Sequence, residues 1–171
     1  MTFRLNLIEK IIAIVVILWA VLELFSTLWT LNYLTSTGFE MKLLTWGNIS
    51  FSKVFKNYHL NIIVPLLSII SAVFLVFHKR IGWILTITGC IINVISYTIL
   101  FLNLTGAYDK INNSTYYLVN GVIIAINLLF IFLLLQRSFK DKYFATNKMW
   151  SPIIIITSIY LIDRIILFAF R

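Results

Sequence analysis

Apolar residues along the chain gather into five long blocks, at 11–33, 60–77, 81–104, 116–136 and 150–170, with more polar segments between them. Each block is close to the ~20 residues with which a helix crosses ~30 Å of hydrocarbon. The middle three contain no charged residue; Glu23 interrupts the first, and Asp163 and Arg164 the fifth. Only helices and closed barrels satisfy the backbone in lipid, and these blocks are too uniformly apolar for the alternating strands of a barrel. The pattern therefore predicts an all-α polytopic membrane protein, a single domain over 1–171 built as a bundle of five transmembrane helices. The clean part of the last block, 150–162, is short for a crossing. If it is re-entrant or interfacial, the spans number four.

The first loop, 35–58, is the longest. Phe39, Met41 and Leu43 alternate with polar residues, as do Ile49 and Phe51, around Trp46-Gly47-Asn48. Period-two alternation on both sides of a Gly-Asn turn predicts a short extracytoplasmic β-hairpin. The competing expectation is an interfacial helix whose Leu44, Phe51, Val54, Phe55 and Tyr58 dip into lipid.

Composition supports lipid as the solvent. Of the residues, 61% are hydrophobic and 12% charged, and the mean hydropathy is +0.98, where soluble domains lie near half apolar and a quarter charged. The net charge of +8 would suggest nucleic acid in a soluble chain. Here the basic residues flank apolar blocks, which argues for orientation in the bilayer and contact with headgroups, and against nucleic acid. With a cytoplasmic N-terminus the inner segments hold eight Lys and Arg and the outer segments five, so the N-terminus is expected inside. The abundance of Ile and Asn matches an AT-rich bacterial genome, hence an inner-membrane protein. The first block resembles the apolar core of a signal peptide, but runs on past Glu23 without a small-residue cleavage site and is read as a retained span.

Ionisable residues inside a membrane cost at least ~2.5 kcal/mol each and mark candidate sites. Glu23 lies 13 residues beyond Lys10, Asn93 13 beyond Arg80 and Asp163 13 beyond Trp150. At 1.5 Å per residue all three reach a common level about 20 Å from the inner face, where a Glu23–Arg164 pair is geometrically possible. Asn120 and Asn127, seven apart, share a helix face, and Gly82, Thr86, Gly89, Asn93 and Ser96 follow helical spacing on another. The candidate ligand or ion pocket is thus Glu23, Asn93, Asn120, Asn127, Asp163 and Arg164, with His59 at the outer end of the second span. The competing expectation for the same residues is structural, a polar layer that fixes which helix packs on which.

No HExxH, Walker, GxSxG or CxxC motif is present, so no catalytic residue is assigned and enzymatic activity is disfavoured. His59 has no ligand at a metal-binding spacing, and Cys90 lies alone in an apolar block; neither a metal nor a cofactor is expected. The leading expectation is a non-enzymatic membrane protein acting through a protein partner or as a homo-oligomer, as an accessory subunit, immunity factor or membrane effector. The alternative is a small ion or solute channel or transporter that uses the polar layer of the outer half.

Overall fold

A computed structural model of the chain describes residues 2–36, 51–102, 114–143 and 149–169. These residues form six helices and no strand: α1 (Thr2–Ser36), α2 (Phe51–Val76), α3 (Arg80–Phe101), α4 (Ser114–Leu134), α5 (Arg137–Lys142) and α6 (Trp150–Ala169). Stretches of α1, α2, α3 and α4 are long and apolar enough to cross a membrane. Their side chains agree: Leu18, Phe25 and Leu28 of α1 and Leu118 and Phe132 of α4 are each at least 60% exposed. Apolar surface on that scale is exceptional for a protein in water, whereas lipid tails cover it. The fold is that of a multi-pass membrane helical bundle.

The expected β-hairpin lies partly outside the described residues, since nothing of 37–50 is described. Phe51 and Ser52, assigned to its second strand, belong to α2 instead. The apolar–polar alternation at 49–52 is too short to compete with eight further residues whose helix joins directly onto the span at 60.

The centre of the bundle is α3, which packs on α2, α4 and α6, while α1 packs on α2. The α2–α3 hairpin is tight. Backbone N–H groups of His78 and Lys79 bond to the carbonyls of Leu75 and Phe74, the paired bonds of a Schellman termination. His78 occupies the left-handed position at φ 55°, a place usually given to glycine. Gly82 then lies directly on the backbone of Phe74 and Leu75, where a Cβ would collide. Buried Pro65 is tolerated inside α2 but removes the N–H that would have bonded the Asn61 carbonyl.

Apolar packing is concentrated toward the end that holds this hairpin. The core there comprises Ile12 of α1, Leu75 of α2, Trp83, Ile87 and Cys90 of α3, Phe130 and Leu134 of α4, Phe139 of α5 and Ile153 of α6. The short α5 contributes Phe139, fully buried. Trp83 donates its indole N–H to the Leu134 carbonyl at 2.9 Å, satisfying one of the carbonyls that the end of α4 leaves without a helix partner.

Candidate functional site

On α1, Glu9, Ala13, Ala20 and Thr27 are buried, and Glu23 falls between them at helical spacing. The face that meets α2 thus carries two carboxyl groups 14 residues, or about 21 Å, apart. Their surroundings differ.

Glu9 is fully buried at the hairpin end. Its Oε1 accepts a hydrogen bond from the Tyr143 hydroxyl at 2.6 Å, and its Oε2 faces Lys142 Nζ at 2.5 Å and His78 Nδ1 at 2.8 Å. Lys142 also donates to Asn6 Oδ1 at 2.8 Å, and Tyr143 stacks on Trp83 with ring centres 6.2 Å apart. Burial, together with the bond to Glu9, pushes the Tyr143 phenol up, which keeps it a neutral donor. Every oxygen of Glu9 is met, and the network joins α1, the α2–α3 turn, α3 and α5. A buried carboxylate survives only when paired and hydrogen-bonded in this way.

Glu23 sits in a hollow. Its Oε1 accepts from Trp19 Nε1 at 2.8 Å and from the Tyr97 hydroxyl at 2.7 Å, while Oε2 has no hydrogen-bond partner among the described residues. It lines a cavity of about 440 Å³ with Ser26, Thr27, Asn61, Pro65, Asn93, Ser96, Tyr160 and Arg164, within the size range of ligand sites. Arg164 donates through Nε to the Tyr160 hydroxyl at 2.9 Å and lies 5.4 Å from that ring's centre. Tyr160 is fixed in turn by a short hydrogen bond to Ser96. The terminal nitrogens of Arg164 have no partner among the described residues.

The structure thus brings together Glu23, Asn93 and Arg164 around one space. The pair considered between Glu23 and Arg164 does not form: the two face the same cavity, each held by aromatic donors or acceptors on its own side. Asp163 turns away to His59 of α2, 3.0 Å from Oδ2 to Nε2. Asn127 donates to the Ile123 carbonyl at 2.9 Å and meets Asn93 at the 3.5 Å limit of a hydrogen bond. Asn120 is buried on α4 with its Nδ2 unpartnered among the described residues. Among the described residues no three His, Cys, Asp or Glu side chains gather to hold a metal ion.

Sequence reasoning missed the Glu9 network entirely. Its one signal was the spacing of Asn6, Glu9, Ala13 and Ala20, which continues the inward face of α1 below Lys10. It also missed Trp19 and Tyr97 as the donors that hold Glu23, because an aromatic residue within an apolar block carries no mark of the polar atom it will bond.

The fold and the cavity define a class, a polytopic membrane protein with a hollow, charge-bearing half. No protein-family model, curated protein or solved structure matches the chain.

Proposed function

We propose that the chain is a small membrane channel or transporter that binds a polar ligand in the cavity beside Glu23. The ligand's positive group meets Glu23 and its negative group meets Arg164. One observation carries the reading: an acidic and a basic side chain line one cavity without pairing, and each keeps bonding capacity that no described residue meets. Such charges are expensive within a membrane and are kept where something compensates them. Glu9, on the same helix, illustrates how completely a carboxylate is satisfied when its role is structural. Action through a protein partner draws mainly on 37–50 and on the exposed face of α1, and lipid covers that face equally well.

In this reading the N-terminus is cytoplasmic in a bacterial inner membrane, and α6 makes a fifth crossing. Support for the orientation is that the hydrogen bonds of Lys142 and His78 to Glu9 and Asn6 draw one end of the bundle together. The basic residues Lys10, Lys79, Arg80, Arg137, Lys140 and Lys142 are carried on those same segments, as the positive-inside rule favours. Support for the crossing is that the 20 residues of α6 begin beside the inner core at Ile153 and reach His59 of α2 through Asp163. The cavity then lies in the outer half.

The test is binding of glycerophosphoethanolamine, a soluble zwitterion, to the purified protein in detergent by saturation-transfer NMR. Saturable binding that disappears in Glu23→Gln and in Arg164→Leu, with helix content unchanged, is expected. Absence of saturable binding to the unmodified protein rules the reading out.

A further inference from the structure

A second cavity of about 260 Å³ adjoins the first, and Trp19 and Asn93 line both. It is a slot between α1 and α4, which pack chiefly on α2 and α3 rather than on each other. Val15 on one rim and Val119 and Val122 on the other are exposed, so the slot opens sideways, toward the surface that lipid tails cover. Its floor is formed by small residues of α2 and α3. Their hydroxyls are already engaged: Ser71 donates to the Ser68 carbonyl at 2.8 Å and Thr86 to the Gly82 carbonyl at 2.7 Å. A hydroxyl satisfied by its own helix adds little polarity to the surface it lines. The slot is therefore apolar along its length and ends, at Trp19 and Asn93, in a chamber bearing both signs of charge.

We infer that the two cavities together bind one phospholipid with a primary-amine headgroup, with an acyl chain in the slot, the phosphate at Arg164 and the ammonium at Glu23. The inference rests on the reading that the polar cavity is a ligand site and names its ligand. Three observations select this occupant. The sideways opening admits a molecule already in the bilayer. The order of features, tail slot and then an acidic and a basic group that do not pair with each other, is the order of groups along an aminophospholipid. The chamber also offers an acceptor for N–H donors, Glu23 Oε2, which a trimethylammonium group cannot use. Guanidinium is suited to phosphate recognition through its fork of donors. An anionic lipid without an amine would leave Glu23 facing the phosphate uncompensated.

The test begins with protein reconstituted into vesicles of equal phosphatidylethanolamine and phosphatidylglycerol, extracted in mild detergent, with retained lipid measured by mass spectrometry. Phosphatidylethanolamine is expected to be retained over phosphatidylglycerol by about tenfold, the ratio set by roughly 1.4 kcal/mol. Glu23→Gln is expected to abolish the preference. Val122→Trp, which fills the slot from its exposed rim, is expected to lose the lipid yet still bind glycerophosphoethanolamine; Val15→Trp does the same from the opposite rim and guards against one variant misfolding. Wild-type lipid retention in both rim variants, or equal retention of the two lipids, overturns the lipid assignment while leaving the soluble zwitterion's binding intact. Failure of the unmodified protein to bind that zwitterion overturns the underlying cavity reading instead.

Discussion

Glu9 and Glu23 stand on one face of one helix, yet the protein treats them oppositely. Around Glu9 every oxygen is met, by Tyr143, Lys142 and His78, and the carboxylate itself is fully buried. Around Glu23 one oxygen is held and the other faces a cavity. A buried charge by itself therefore does not distinguish a structural bolt from a binding site in a membrane protein. The remaining bonding capacity of the group, and the space in front of it, do.

The contrast breaks most readily at the end that holds the α2–α3 hairpin. Lys142→Met leaves the buried Glu9 carboxylate with Tyr143 and His78 but without its ammonium, and a loss of about 3 kcal/mol is expected, the low end for breaking a buried pair because these two partners remain, read as a lowered unfolding midpoint in mild detergent. An unchanged midpoint would remove the structural role assigned to Glu9. The two glycines of α3 sharpen the contrast. Gly82→Ala drives a methyl into the α2 backbone and should cost about 1–3 kcal/mol. Gly89→Ala meets only Ser68 Oγ at 3.6 Å and should stay within about 0.5 kcal/mol, so equal losses for the pair would contradict the dense-and-hollow picture. Smallest is Ser96→Ala, which removes the bond holding Tyr160 beside Arg164. It should cost about 0.6 kcal/mol of stability, typical of a hydrogen bond between membrane helices, while weakening ligand binding by a larger factor.

The membrane class and the first four spans were legible from hydropathy alone, because lipid imposes one solvent on every exposed position. Helix rise converts sequence offsets into depth, which put Glu23, Asn93 and Asp163 with its neighbour Arg164 at one expected level; of these Glu23, Asn93 and Arg164 line one cavity. What could not be read was rotation about each helix axis. Two residues at one depth can face each other or different neighbours, so the considered Glu23–Arg164 pair gave way to Trp19, Tyr97 and Tyr160, and adjacent Asp163 turned toward His59. The Glu9 network was hidden for another reason. Its members come from three segments far apart in sequence, Asn6 and Glu9, His78 and Trp83, and Lys142 with Tyr143, and no local period joins them. At Phe51 the helix given as the competing expectation formed in place of the strand, because a four-residue alternation says less about local structure than the long helix that adjoins it.

The central claim, one carboxylate for structure and one for ligand, is tested most directly by comparing Glu9→Gln with Glu23→Gln in a single pair of assays, the unfolding midpoint and glycerophosphoethanolamine binding. Glu9→Gln should lower the midpoint and, below it, bind the zwitterion as the unmodified protein does. Glu23→Gln, whose amide oxygen still accepts from Trp19 and Tyr97, should keep the midpoint and lose binding. The reverse pattern, or two variants that lose stability alike with binding retained in both, would contradict the account.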